Sequence, residues 1–304
     1  MKFTDYQNLG DGIENKLAKE QKGSKFWEIG KWNNYILPLL PQKPKRLTYV
    51  DMGCNGGLFL KYAEDLGFER VVGVDINPDV VERGIKFRER ENGHWDIRSG
   101  KMEESIDDLP ICDYMTFINS HYYLLIKEWL DLVDKLQNKA RYIIITAVRK
   151  HKWYCMASGR GRDIARYFSN WDMIGFIPQL EVNGDSCPRS LSTICYKNRN
   201  LERVNLSELL RGAHVKADFH KQIEEGVEPL KTNYFRRLRA NHKDSDIKEL
   251  EQRMFDKVKM YYDVKKNGIK EPIIINGHNR ILDGNHRVKI LEYLGYKSVI
   301  VRRI

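Results

Sequence analysis

From Arg46 to about Val148 the chain alternates short, apolar, β-rich runs with amphipathic helical segments, and few folds accept that rhythm. The β-rich runs are LTYVDMG, ERVVGVDIN, HWDIRSG, YMTFINS and RYIIITAV. Between them lies GLFLKYAEDLG, with Leu58, Leu60, Tyr62, Ala63 and Leu66 apolar. PDVVERGIKFRER follows the second run, and its Pro78 suits a first helical turn. A further helix is expected over residues 121–139. Strands that alternate with helices predict an α/β fold, a doubly wound parallel sheet with helices on both faces. FIPQLEVNG and SLSTICYK predict a closing antiparallel pair. Residues 1–45 predict a helical, lysine-rich lead-in, whose apolar cluster Tyr35-Ile36-Leu37-Pro38-Leu39-Leu40 is broken by Pro41 and Pro44.

The rhythm changes near Asn200, which predicts two domains, residues 1–199 and 200–304. LERVNLSELL opens the second, and a charged helical stretch runs to about Lys266. EPIIIN, a turn at GHN, RILDG, the helix HRVKILEYLG and the strand KSVIVRRI complete an α+β domain. Gly277 and Asn279 tolerate positive φ, so NGHN reads as a hairpin turn.

Composition narrows the class. No apolar run approaches the roughly 20 residues that span a bilayer, and MKFTDYQNLGDGIENK carries no apolar core of a secretory signal. Cys54, Cys112, Cys155, Cys187 and Cys195 form no CxxC or clustered Cys/His spacing. Such a set reads as reduced and structural; the expectation is a cytoplasmic protein without a metal site or a membrane partner. Net charge is +10. That balance favours anionic partners such as nucleic acid or nucleotides. The plainer alternative is a lysine-rich cytosolic protein, since 42 acidic residues are interspersed.

The sharpest local signal is Asp51-Met52-Gly53-Cys54-Asn55-Gly56-Gly57, which directly follows an apolar run and opens a helix. Glycines let backbone approach a ligand that a Cβ would block. A helix N-terminus offers unpaired N–H groups and positive potential, which favour a carboxylate by about 0.3–1 kcal/mol. Asp75 ends the next strand, placed to accept hydrogen bonds from ribose hydroxyls. The loop is neither G-x-G-x-x-G nor GxxxxGK[ST], which counts against a dinucleotide or a P-loop ligand.

VDMGCNGG together with VVGVDIN resembles the cofactor signature of class I S-adenosylmethionine (SAM) dependent methyltransferases, usually written D-x-G-C-x-x-G. The resemblance implies a Rossmann-like methyltransferase sheet with SAM as cofactor. Asp51, Gly53 and Gly57 would then hold the methionine part, with Cys54 and Asn55 also at the cofactor, Asp75 would hold the ribose, and Ile76 would pack on the adenine. Lys101 stands about where the family often has an acid reading the adenine amino group, so Met102 is expected to supply backbone and apolar contacts instead. Asn119-Ser120-His121-Tyr122-Tyr123 would face the acceptor, with Asn119 at the cofactor and His121 a candidate general base. His151, Lys152, Trp153 and Tyr154 lie in another acceptor-facing region. No [DNS]PP[YF] or cytosine-C5 motif is present, which disfavours the familiar DNA base methylases. A CNGG loop with Trp27 and Trp32 upstream also resembles a transfer-RNA wobble-uridine modifying group, a hint towards RNA.

In the second domain, Ile281-Leu282-Asp283-Gly284-Asn285-His286-Arg287 before a helix, with NGIKEPIIIN ahead and LGYKSVIVRRI behind, resembles the ParB/sulfiredoxin-like fold. The resemblance implies nucleotide phosphates, of a nucleoside triphosphate or diphosphate, held by Asp283, Gly284, Asn285, His286 and Arg287. Sulfiredoxins carry a reactive cysteine in this loop; Asn285 stands there, so that chemistry is not expected. KTNYFRRLRANHK (231–243) mixes basic and aromatic residues, as an arm for a phosphate backbone with base stacking would, or as a solvated helix face. Three functions follow. The first is a methyltransferase acting on nucleic acid or a small metabolite, with an appended nucleotide- or nucleic-acid-binding domain. The second is a nucleotide-gated DNA-binding or regulatory protein that senses SAM. The third is a bifunctional small-molecule kinase–methyltransferase. The sequence leaves the acceptor atom and oligomeric state open.

Overall fold

The structure, a computed structural model, describes residues 7, 9, 29–148, 168–177, 191–209, 218–243 and 245–304. It divides into two compact units, Met1–Asn200 and Leu201–Ile304.

In the first unit five parallel strands follow the apolar runs: β1 (Thr48–Met52), β2 (Arg70–Asp75), β3 (Asp96–Ser99), β4 (Cys112–Ile118) and β5 (Ala140–Val148). Their crossovers carry α1 (Leu58–Leu66), α2 (Pro78–Arg90), the short α3 (Met102–Ser105) and α4 (Ile126–Leu136). β6 (Trp171–Ile177) and β7 (Leu191–Asn198) close the sheet, β7 antiparallel to both β5 and β6. The strand order is β3-β2-β1-β4-β5-β7-β6. The order reverses between β1 and β4, and the crevice at the carboxyl ends of strands flanking such a reversal is where open α/β sheets bind ligands.

Helices cover both faces, so the central strands carry apolar residues on both sides. Val50, Met52, Val72, Val74, Met115 and Phe117 pack with Trp129, Leu132, Val133 and Leu136 of α4 on one face. On the other, Tyr49 and Val71 join Phe59, Leu60, Ala63, Phe87 and Trp95. Each large apolar side chain buried this way contributes about 1.5–3 kcal/mol. The period-2 register of the strands and the 3.6-residue spacing of the helices thus meet in two cores. Asn77 caps α2, its side chain accepting the Asp79 N–H at 3.1 Å, with Pro78 at the first position.

Two expectations need correction here. The segment expected to be one helix over 121–139 is a 3₁₀ turn at His121–Tyr123 and then α4, because Leu124 and Leu125 are extended. The first strand of the closing pair lies at 171–177, so it shares only Phe176 and Ile177 with FIPQLEVNG; residues 178–190 lie outside the described residues. Its exposed Met173, Ile174 and Phe176, with a register shift between Met173 and Gly175, blur the apolar alternation that marks a strand.

The second unit has a four-stranded mixed sheet, β10 (Ile281–Asp283), β9 (Ile273–Ile275), β11 (Ser298–Arg303) and β8 (Leu201–Asn205) in that order. Its helices are α5 (Asp218–Glu224), α6 (Asn233–Asn241), α7 (Ile247–Asn267) and α8 (Asn285–Tyr293). β9 and β10 form the expected hairpin, but only Asn279 has positive φ (59°); Gly277 does not need it. Among the described residues no helix is long and apolar enough to cross a membrane.

Candidate active site

The loop 53–57 leaves β1 at the switch point and is closed by its own protein contacts. Gly53 and Cys54 N–H donate to the Val74 carbonyl at 2.7 and 3.0 Å, and Gly57 N–H to the Cys54 carbonyl at 3.1 Å. Asn55, at φ 52°, donates its N–H to Asp75 Oδ2 at 2.8 Å, and its own Oδ1 accepts from Gly56 N–H at 2.9 Å. Leu58 N–H donates to Gln7 Oε1 at 2.8 Å. The expectation that this helix start offers unpaired N–H groups to a carboxylate is therefore overturned: the backbone donors from 53 to 58 already have acceptors. What the loop offers is room. Gly53, at φ 81°, has no space for a side chain, since a Cβ there would lie 2.3 Å from Ser120 Cβ and 2.8 Å from Met102 Cε.

Asp75 lies beside the loop, where the sequence placed it. Its Oδ1 accepts from Asn77 N–H at 3.0 Å and its Oδ2 from Asn55, which leaves lone pairs on both oxygens. Asp51 is fully buried at the end of β1. Thr116 donates to its Oδ1 at 2.7 Å, and Tyr49 Oη lies 2.9 Å from the same hydroxyl. Asp51 Oδ2 is buried without a hydrogen-bond partner among the described residues. Burial pushes the Asp51 carboxyl up to about 7, and the charge of Asp75 pushes in the same direction. Asp75 is also raised, by burial, against its backbone hydrogen bonds. A buried carboxyl raised by burial and by a neighbouring carboxylate makes a place for a cation.

The other expected residues divide. Ile76 follows Asp75 and is 43% exposed, an apolar surface beside that carboxylate. Met102 opens α3, its Cε over Gly53. Cys54 is buried, and its Sγ packs where a Cβ on Gly73 would lie, 2.6 Å away, so its side chain belongs to the core. Asn119 takes φ 57° and accepts from Thr146 Oγ1 at 3.3 Å. Ser120 Oγ donates to the Met52 carbonyl. His121 is fully buried, its ring tilted against Trp129 at 5.7 Å, which sets it in the core rather than in reach of solvent. Trp32 is likewise core, stacked on Phe59 at 6.0 Å. Trp27 and His151, Lys152, Trp153 and Tyr154 lie outside the described residues.

Three contributors had no local signal: Thr116, which bonds Asp51 across 65 positions, and Gln7 and Leu9, which lie on the glycine loop.

In the second unit Gly284 (φ 97°) starts α8 in the left-handed region, and a Cβ there would meet Ile273 Cδ1 at 2.6 Å. Arg287 does not face outward as an anion seat requires. Its side chain is 14% exposed, and it donates to the Glu271 carbonyl at 2.9 Å and to Asp283 Oδ2 at 2.7 Å. Asn285 opens the helix, half-buried. His286 is bonded by Lys257 Nζ at 2.6 Å from Nε2. Lys257 has no carboxylate within ion-pair distance among the described residues. Burial, with Arg253 nearby, lowers it to about 8. Burial lowers both His286 and His220 to about 4. The cation beside His286 is therefore Lys257, which the sequence reading missed. In the basic segment 231–243, Phe235 is buried and Tyr234 sits 5.2 Å beneath Lys257 Nζ, so both rings are turned into the unit rather than offered for stacking. Among the described residues no group of three or more His, Cys, Asp or Glu side chains could hold a metal ion.

A largely parallel sheet, with a glycine loop at the end of β1 and a carboxylate at the end of β2, gives the first unit a Rossmann-like architecture. The chain belongs to the methyltransferase domain family, whose model matches residues 26–178, and the protein is an enzyme of the SAM-dependent methyltransferase class. No curated protein matches it. Among solved structures, it is similar to the PH0226 protein from Pyrococcus horikoshii OT3, at 14% identity over 65% of this chain and 96% of that one, with a TM-score of 0.47. A TehB-like SAM-dependent methyltransferase from Corynebacterium glutamicum is similar at 12% identity, over 60% of this chain and all of that one, with a TM-score of 0.42. The bifunctional kinase–methyltransferase WbdD is similar at 17% identity over 68% of this chain, with a TM-score of 0.42; the match spans 46% of the WbdD chain.

SAM is cationic at sulfur and at its amino group, and the residues present fit it. Asp51 Oδ2 and the lone pairs of Asp75 supply acceptors and negative charge, Gly53 supplies close approach, and Ile76 and Met102 supply apolar surface.

Proposed function

We propose that the first unit transfers the methyl group of SAM to a nucleic acid or a small metabolite. The buried Asp51 Oδ2, which has no hydrogen-bond partner among the described residues, at the glycine loop that Asp75 braces is the observation that carries this reading, because a bound cation gives that oxygen a partner. SAM supplies an already activated methyl group: the acceptor's lone pair forms the new bond to carbon as the bond to sulfur breaks. The protein's part is alignment. Asp75 holds the ribose, Asp51 stabilises the cationic end, and Ile76 and Met102 flank the adenine. A general base is needed only for a protonated acceptor, and the buried position of His121 argues against it in that role.

The second unit, on this reading, is a ParB/sulfiredoxin-like module for a nucleoside di- or triphosphate, or for a nucleic acid. Asp283, Gly284, Asn285 and His286 shape the helix start, and Lys257 supports the reading as a half-buried cation with no counterion among the described residues. Cytoplasmic placement is part of the proposal.

Two experiments test it. Asp75→Ala should weaken SAM binding by an order of magnitude or more, about 1.4 kcal/mol per factor of ten, while the chain still folds; titration calorimetry measures it, and wild-type affinity refutes the ribose role. Labelled SAM incubated with fractionated RNA, DNA and metabolites should transfer its label to one fraction. A nucleic-acid acceptor adds a steep salt dependence. SAM binding with no transfer to any fraction would favour a sensor instead.

A further inference from the structure

The glycine loop is held from outside by a residue 51 positions before the helix it opens. Gln7 is 5% exposed and uses both ends of its amide: Oε1 accepts the Leu58 N–H at 2.8 Å, and Nε2 donates to the Cys54 carbonyl at 3.1 Å. Leu58 is the first residue of α1, where an N–H has no partner inside the helix. One side chain therefore ties the entry of the loop to its exit. Leu9, 3% exposed, lies against Gly56, where a Cβ would come 2.6 Å from Leu9 Cδ1. Backbone carbonyls of the same two residues accept from α2: Arg90 Nη2 donates to the Leu9 carbonyl, and Arg83 Nη1 makes a long contact of 3.5 Å with that of Gln7. Gln7 and Leu9 both precede the 26–178 segment that defines the family.

We infer that Gln7 is a positioning residue for the cofactor. It acts through the loop: the span from Cys54 to Leu58 that it clamps contains Asn55, whose N–H fixes Asp75 Oδ2. If the clamp opens, the carboxylate that receives the ribose loses the donor that orients it. In a buried setting neither end of the amide can be replaced by water, so the clamp cannot be lost without consequence. The inference rests on the SAM reading of the site.

Gln7→Met keeps the length and removes both polar contacts. The expected result in the full chain is SAM affinity weakened about tenfold, the scale of a lost buried hydrogen-bond pair, with faster amide exchange at Leu58 and at Asn55. Gln7→Glu, which keeps the acceptor for Leu58 N–H, should recover part of the protection at Leu58. A general stability defect would instead speed exchange across α1 and α2 alike. Wild-type SAM affinity in folded Gln7→Met overturns the inference alone. Absence of SAM binding by the wild-type protein overturns the cofactor reading and the inference with it. Should Gln7→Met not fold, the wild-type protein decides: a Leu58 amide that exchanges as fast as an open coil means that Gln7 holds nothing.

Discussion

Gly53 and Asp51 stand two residues apart at the end of β1 and answer opposite demands. Gly53 must have nothing where a side chain would be, because Ser120 and Met102 already occupy that volume and its φ of 81° suits glycine. Asp51 must carry a charge-bearing group where burial penalises it. Gly53→Ala is expected to destabilise the first unit by about 1–3 kcal/mol through the left-handed backbone alone, with a further loss from overpacking. Thermal and urea unfolding measure it; a variant as stable as wild type would mean that Ser120 and Met102 move aside freely. The glycine was legible in the sequence because its demand is local. The bond from Thr116 that accompanies Asp51 was not, since a threonine inside an apolar strand looks the same whether or not it meets a carboxylate 65 positions away.

At the scale of elements, the entry to β9, the end of β10 and the start of α8 are joined by one guanidinium. Arg287 reaches the Glu271 and Pro272 carbonyls, at 2.9 and 3.4 Å, and Asp283 on β10. Arg287→Ala should therefore loosen the hairpin and the helix start together, by about 1.5–3 kcal/mol, the scale of hydrogen bonds to a charged group that is partly buried. Amide exchange of residues 273–288 in the full-length protein checks this. Protection unchanged there, with anion binding lost, would return the arginine to the seat that DGNHR suggests. The motif correctly marks a strand-to-helix turn, since Asp-Gly before a helix is a local signal. What the arginine does with its five N–H groups depends on which carbonyls the fold brings within reach.

Over the whole molecule, buried titrating groups give the two units opposite responses to pH. Asp51 keeps a proton in the folded state up to about 7, whereas an unfolded aspartate releases it near 3.9. Raising the pH from about 4 to 7 therefore removes stability from the first unit, because the folded state binds the extra proton. His220 and His286 behave in reverse: folded, they release a proton at about 4, while an unfolded histidine holds it up to about 6.5. Lowering the pH through that window costs the second unit stability. Glu224 extends the loss below its ordinary range, since Lys265, Tyr261 and Tyr293 hold its carboxyl down at about 2. Segment-resolved hydrogen exchange at pH 5 and pH 7, corrected for intrinsic rates, should show opening free energies that fall with pH around β1 and α1 and rise with pH around α7 and α8. The same sign in both units would show that these groups do not govern the response.

The alternation of strand and helix, the glycine loop, the distant Asp75 and the helix start at Gly284 were written in the chain itself, because periodicity, turn chemistry and spacing act over a few residues and survive without a tertiary context. The fold alone decided what each group touches. It buried His121 against Trp129, turned Arg287 onto protein carbonyls, set Lys257 beside His286, and laid Gln7 across the loop. Those outcomes depend on contacts spanning from 8 to 51 positions, and a side chain's burial and partners exist only once the sheet and its helices have brought such distant residues together.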